Sequence, residues 1–446
     1  MSDLNELFPK DFETRVKSDS FLGNDLLLAL NQEKPTSIRI NPLKYKNNLS
    51  GTTKIPWSTN GFWLNERPQF TLDPHFHAGA YYPQEAGSQF LDSVLRQINL
   101  PESPIVLDLC AAPGGKSTLI ADFLNEKGLL LSNEIHSGRA KILKENLTKW
   151  GKLNTLVSNN SPSDFESIES FFDLIVVDAP CSGEGMFRKD LNARNEWSEA
   201  NVEMCSLRQK EILSSCWDSL KPNGFLVYST CTFNSTENEQ IIEWMTEEFD
   251  CSVYPINLEK AQKGRDSIGY YALPHLIDTE GFYICVIQKN DLQKRTKKQK
   301  NNKSELSSIT SSEVNSFVEI DSSLNFVKWR EYVFAIPSEF SDEIYFLHSK
   351  LRLQKMGVEI GEISRKGIIP NEALAFSSIV NTSIQRIELT KNEALYYLKG
   401  ETFSLEGKQG WALLTFNGNS LGWIKHLGNR FNNLYPKDWR IRMKID

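Results

Sequence analysis

The chain has 446 residues, a formal net charge of −7 and 40% hydrophobic residues. That length predicts about two to four domains, with enough apolar content for a sizeable core. No run of about 20 apolar residues is present, which argues against a transmembrane helix. The stretch MSDLNELFPKDFETRVKSD at the start lacks the apolar core of a signal peptide, so a cytoplasmic monomer with no membrane partner is expected.

Residues 1–75 mix helical and strand signals and read as an N-terminal α/β domain. An alternating strand covers Ser37–Lys44 and is broken by Pro42. From about 104 to 288 the pattern is strand–helix–strand. Strands are predicted at Ile105–Leu109, Leu129–Asn133, Thr155–Ser158, Leu174–Val177, Phe225–Ser229 and Phe282–Gln288, with helices at 137–150 and 203–219. Such alternation predicts an α/β fold, a parallel sheet covered by helices on both faces. A 76–289 domain is therefore expected. The run KNDLQKRTKKQKNNKSELSSITSS is basic and polar and predicts a linker over 290–315, since such runs more often form solvated surface than binding sites. Globular composition resumes in 316–446. There Asn417-Gly418 between two alternating runs predicts a hairpin in a small β-rich domain.

Seven cysteines are present: Cys110, Cys181, Cys205, Cys216, Cys231, Cys251 and Cys285. Their number is odd and no CxxC pair occurs, which disfavours a disulfide framework and a metal site. Net acidity counts weakly against a nucleic-acid partner, because one local basic face suffices for phosphate binding.

The segment Val106–Ser117 is a strand running into a glycine-rich turn and then a helix. Glycines let the backbone approach a ligand, and a helix start offers free N–H donors. Glu134 follows the next strand, where an acid can accept both hydroxyls of a ribose. Together these point to a nucleoside cofactor at the carboxyl ends of the strands. Two other readings compete: a tight turn with no ligand, and a phosphate-binding P-loop with Leu174–Asp178 as its metal strand. Cys110 stands where the P-loop's first glycine belongs, and Glu134 has no part in that scheme.

Asp178-Ala179-Pro180-Cys181-Ser182-Gly183 and Ser229-Thr230-Cys231-Thr232 each follow an apolar strand. Both cysteines therefore leave the sheet on the edge of the cofactor loop. A single buried cysteine is usually an inert small hydrophobe, and Cys205, Cys216, Cys251 and Cys285 are assigned to packing. Two at neighbouring strand ends suit methylation of cytosine carbon 5. A thiolate adds at carbon 6 and makes carbon 5 enamine-like, so that it attacks a sulfonium methyl. The carbon-5 proton then leaves, and the thiolate with it. Asp178 is placed to hydrogen-bond the ring.

The loop Cys110–Lys116, the Asp-Ala-Pro-Cys-Ser-Gly segment with its continuation 184–190, and Tyr228–Thr232 resemble the NOL1/NOP2/Sun family of RNA cytosine-C5 methyltransferases, in its bacterial 16S ribosomal RNA branch. Arg39-Ile40-Asn41 and Gly79–Gln84 are similar to N-terminal motifs of that family, and Gly410–Tyr435 to its terminal PUA-like domain. The resemblance implies a Rossmann-like core that uses S-adenosylmethionine, with Cys231 as nucleophile and Cys181 as the thiol that assists release. The expected cofactor contacts are Cys110, Ala111, Ala112, Pro113, Gly114, Gly115, Lys116, Glu134, Arg139 and Asp178. An aspartate usual after the third strand is missing, and Asn160 or Ser161 is expected to replace it. A catalytically silent assembly factor remains the competing class, although the intact cysteine pair argues against it.

The implied partner is ribosomal RNA or the small ribosomal subunit, with the target base single-stranded or flipped. Arg188 and Lys189 near the chemistry are expected to touch RNA. So are Lys425, Arg430, Lys437, Arg440, Arg442 and Lys444, which stand among Trp423, Phe431, Tyr435 and Trp439. On this reading the C-terminal region sets RNA affinity, and methyl-donor binding is independent of it.

Overall fold

The computed structural model describes residues 8–45, 51–290 and 305–445. The alternation of strand and helix produces a ten-stranded central sheet. Its parallel heart runs Leu220–Thr230, Phe172–Asp178, Ile105–Asp108, Leu129–Asn133, Thr155–Ser158 in spatial order. Phe282–Lys289 pairs antiparallel with Leu220–Thr230, residue 284 facing 229.

Continuous apolar runs make these strands, because both faces are covered. Side chains alternate along each strand. Leu107, Leu131, Ile175, Val177 and Leu226 enter one core with helix Glu199–Trp217. Val106, Leu130, Leu174, Val176 and Val227 enter the other with helix Gly115–Leu124. The first core also takes in the helices Lys10–Ser18 and Asn24–Leu30 through Phe12, Val16 and Leu26, which pack with Phe187 and Trp197. The N-terminus thereby covers the loop that follows Cys181.

An antiparallel four-stranded sheet precedes the core, in the order Thr52–Lys54, Gly61–Leu64, Thr36–Ile40, Tyr81–Pro83. A division at residue 75 cuts this sheet, since Tyr81–Pro83 is one of its strands. The Arg39-Ile40-Asn41 motif welds the sheet to the core. Arg39 is buried, ion-paired to Asp122 at 2.5 Å and 4.7 Å from the Trp150 ring. Asn41 Nδ2 donates to the carbonyls of Gly79 and Trp150.

Two further sheets form the C-terminal region: Ser307–Ser308, Leu324–Trp329, Tyr332–Pro337, Val358–Ser364, Gly367–Pro370, and then Gln385–Glu388, Gly410–Phe416, Asn419–His426, Phe431–Asn433. The hairpin at Asn417-Gly418 forms, with both residues at positive φ (47° and 75°) as a tight turn requires. The expected linker is shorter than 290–315. Residues 291–304 lie outside the described residues, and Ser307–Ser308 already pairs with Leu324–Trp329. The region is also not separate from the core. Leu353–Met356 leaves it and pairs antiparallel with Thr155–Ser158 as the edge strand of the central sheet.

Candidate active site

Strand ends of the central sheet bring the predicted residues together. Ile105–Asp108 delivers the loop Leu109–Gly114, and Gly114 at φ 115° turns it into helix Gly115–Leu124. Only glycine adopts that angle without strain. Side chains of the next helix, Ser137–Trp150, hold the loop's carbonyls: Arg139 Nη2 donates to Ala112 O at 2.8 Å, and Asn146 Nδ2 to Pro113 O at 2.8 Å. Glu134 is 3% exposed, accepts the His136 amide at 2.9 Å and faces Arg139 at 3.5 Å. Arg139 thus ties the loop to the acid. Lys116 turns the other way and pairs with Asp178 at 2.8 Å, while Ser229 Oγ donates to the second Asp178 oxygen at 2.8 Å.

Two cavities flank Cys110. The larger, about 810 Å³, is lined by Asn133, Glu134, Ile135, Arg139, Ser161–Ser163, Pro180 and one side of helix Glu199–Trp217. The smaller, about 170 Å³, lies between Tyr82–Glu85 of the N-terminal unit and Asp108, Lys116 and Asp178. The Gly79–Gln84 motif therefore closes the site from the N-terminal side. Asp108 was not singled out in the sequence. It is wholly buried, Ser117 Oγ donates to one oxygen at 2.6 Å, and the other oxygen has no partner. Burial raises its pKa to about 7. The signal for it was an acid ending the strand that feeds the loop. Arg208, Glu211 and Ser215, which line the larger cavity from the helix, carried no sequence signal.

Asp178 ends one strand and Thr230 the next, so Cys181 and Cys231 emerge side by side. Their sulfurs are 3.2 Å apart, both thiols are free, and the Cys231 amide lies 3.4 Å from the Cys181 sulfur. The contact with Cys231 and burial hold the Cys181 thiol well above its ordinary value. Cys110 is raised by burial in the same way, which makes it a wall of the site rather than a nucleophile.

Several expected contacts are placed elsewhere. Asn160 is 3% exposed and all its polar groups are engaged: Oδ1 accepts the Arg352 amide, Nδ2 donates to Asp164, and its backbone pairs with Asn133. It is not among the residues that line the larger cavity, whereas Ser161 is. Arg188 donates to the carbonyls of Glu33 at 2.6 Å and Thr279 at 2.9 Å, and so staples the N-terminal segment to the site. Lys189 is exposed, 4.0 Å from Glu280. In the tail, Trp423, Phe431 and Tyr435 are core residues, and Lys425 lies 4.2 Å from the Trp411 ring. Arg430, Lys437, Arg442 and Lys444 are exposed.

The donor set has a clear preference. A buried carboxylate beside helix-start amides and a buried acid with one unpartnered oxygen suit a nucleoside that carries hydroxyls, an ammonium and a carboxylate. Comparison with known proteins agrees in kind. Residues 96–288 match the family model "16S rRNA methyltransferase RsmB/F", residues 5–86 the N-terminal domain of the RsmF methyltransferase, and residues 384–441 its PUA domain. The ribosomal RNA small subunit methyltransferase F of Shewanella piezotolerans is 32% identical over 97% of each chain, and that of Vibrio atlanticus 30% identical over 97% of this chain and 98% of its own. A methyltransferase homolog from Pyrococcus horikoshii superposes with a TM-score of 0.55 at 26% identity, over 64% of this chain and 97% of its own. NSun6 from the same organism, solved with SFG, shares the fold at 20% identity and a TM-score of 0.56, over 64% of this chain and 100% of its own.

Proposed function

The chain belongs to the RsmB/F family of 16S ribosomal RNA methyltransferases, in its RsmF branch, and from that premise we propose that it methylates carbon 5 of a cytosine in 16S ribosomal RNA through a covalent bond from Cys231. The observation that carries this is the pair of free thiols 3.2 Å apart at adjacent strand ends beside the loop.

S-adenosylmethionine, when bound, supplies an electrophilic methyl group on a sulfonium. In this reading Glu134 accepts the ribose hydroxyls in the larger cavity, with Ile135 and Pro180 against the base. The loop amides and Asp108 receive the amino-acid end. Cys231 as thiolate adds to carbon 6 of the flipped cytosine, and the pyrimidine's electron pair moves to carbon 5, which takes the methyl. Loss of the carbon-5 proton to solvent water then restores the double bond and expels the Cys231 thiolate. Cys181, in contact with that sulfur, assists this last stage. Asp178, oriented by Lys116 and Ser229, hydrogen-bonds the pyrimidine edge.

The substrate is ribosomal RNA, free or in the small subunit, met at Lys189 and at the exposed cations Arg430, Lys437, Arg442 and Lys444. No helix among the described residues is long and apolar enough to cross a membrane, and the reading includes a cytoplasmic location. Bisulfite sequencing of 16S ribosomal RNA from cells with and without the gene tests the assignment. One or more protected cytosines should become convertible when the gene is lost, and an unchanged map would exclude this chemistry on that RNA.

A further inference from the structure

The C-terminal region braces the frame of the larger cavity through Lys355 and Arg352. Strand Leu353–Met356 pairs with Thr155–Ser158, and Lys355 locks that pairing. The Lys355 ammonium is buried and donates to Thr155 O at 3.1 Å, Thr155 Oγ1 at 2.7 Å and Gly357 O at 2.6 Å. Arg352, just before the strand, then grips the segment that follows Ser158. Its amide donates to Asn160 Oδ1 at 2.9 Å, and its carbonyl accepts the Asn159 amide at 3.1 Å.

That segment is itself part of the cavity's frame. Asn159 Nδ2 donates to the carbonyls of Glu134 at 2.7 Å and Ile135 at 2.9 Å, both cavity residues. Asn160 exchanges hydrogen bonds with Asn133 through its backbone and, through Nδ2, holds Asp164 at 2.7 Å. Asp164 in turn caps the turn Pro162–Ser167, whose first residues with Ser161 form the cavity wall. The path from Arg352 to Glu134 and to Ser161–Ser163 is continuous through these hydrogen bonds.

We propose that Asn160 is a positioning residue through which the C-terminal region fixes the methyl-donor site, so that donor affinity depends on a strand contributed from 192 residues downstream. The Asn160 amide's acceptor and donor meet two different partners at once, Arg352 N and Asp164. An aspartate has no hydrogen to give Asp164. Asn160 is therefore suited to holding the wall and not to touching the ligand. The proposal rests on the larger cavity being the donor's nucleoside site.

Calorimetry of the full chain with S-adenosylhomocysteine tests it. In Asn160→Ala the dissociation constant should rise about tenfold, the scale of losing hydrogen bonds that order a buried segment. Methyl transfer to 16S ribosomal RNA at saturating donor should stay within about twofold, so the effect falls on the donor's KM and not on kcat. A residue needed only for folding would lower the melting temperature without this split. In Arg352→Ala the backbone contacts persist, and affinity should stay within about twofold of the parent. Unchanged affinity in Asn160→Ala overturns the proposal, as does an equal loss in Arg352→Ala, which would assign the effect to the guanidinium. A parent that binds no S-adenosylhomocysteine overturns the donor-site reading and the proposal together.

Discussion

Ser182, the residue after Cys181, gives both its amide hydrogen, at 2.9 Å, and its hydroxyl hydrogen to the buried carboxylate of Glu237. Gln209 at 3.0 Å and Asn234 at 2.7 Å complete four donors around that carboxylate. Ser182 Oγ lies 3.1 Å from the hydroxyl of Thr232, the residue after Cys231. One carboxylate therefore anchors both cysteine loops. Glu237→Gln keeps the shape but turns an NH2 toward groups that donate. Turnover should fall about tenfold or more while S-adenosylhomocysteine affinity changes little. Glu237→Ala, which leaves several buried donors unpaired, should also cost on the order of 1–3 kcal/mol of stability. Activity assays, calorimetry and thermal melts on both variants check this. Full turnover in Glu237→Gln would reduce the carboxylate to packing.

Asp108 predicts a pH dependence. Its pKa in the folded chain, about 7 through burial, exceeds the ordinary carboxylate value. The folded state thus favours the protonated acid. The stability this contributes is complete below about pH 4 and is lost as pH rises toward 7, by a total on the order of 4 kcal/mol. Ligand binding has the opposite sign. An ammonium group beside Asp108 favours the ionised acid, so S-adenosylhomocysteine affinity should rise between about pH 6 and 8. Asp108→Asn, which resembles the protonated acid, should bind more weakly and flatten both profiles. Calorimetry and melts across that range decide. A sloping affinity in Asp108→Asn would move the dependence to another group.

The central sheet was legible because its strands are continuous apolar runs that end in chemistry-bearing turns. Predicted and observed ends differ by a few residues, as at Leu220–Thr230, whose first residues, Lys221, Pro222 and Asn223, are polar or turn-forming but extend it. The loop, Glu134 and the two cysteines were legible for the same reason: each sits where a strand stops. What Asn160 and Arg188 hold was not legible, because a polar side chain near a site looks the same in sequence whether it meets a ligand or a distant backbone. The partners that decide, Arg352 for one and Glu33 and Thr279 for the other, lie far along the chain. The strand Leu353–Met356 carries no mark that it crosses between units.

That strand changes what a truncation reports. Removing residues after about 315 strips the sheet edge and uncovers core side chains that pack with Phe346, Leu347, Leu351 and Met356. The truncated chain should melt at lower temperature and lose donor affinity, so it cannot isolate RNA binding. Charge reversal at Arg430, Lys437 and Arg442 in the full chain does isolate it. All three are exposed. RNA affinity should fall, and the slope of log affinity against log salt should flatten by about 0.7–0.9 for each phosphate no longer neutralised. Donor binding should be unaffected. An unchanged salt slope would assign the tail to assembly rather than to RNA.

The two thiols are separable because they touch. If Cys231 adds to carbon 6, Cys231→Ala forms no covalent bond to RNA and is inactive. If Cys181 serves only release, Cys181→Ala still adds and transfers methyl but cannot let go. It should accumulate a protein–RNA species that survives denaturing electrophoresis. Both substitutions remove one sulfur from the same 3.2 Å contact, and both sites are partly exposed, so simple destabilisation would affect them alike. Opposite trapping therefore reports chemistry. The contact with Cys231 and burial raise the Cys181 thiol, which disfavours its thiolate. Trapping by Cys231→Ala instead would exchange the two roles. Activity in both variants with no trapped species would exclude a covalent route and, with it, the carbon-5 assignment.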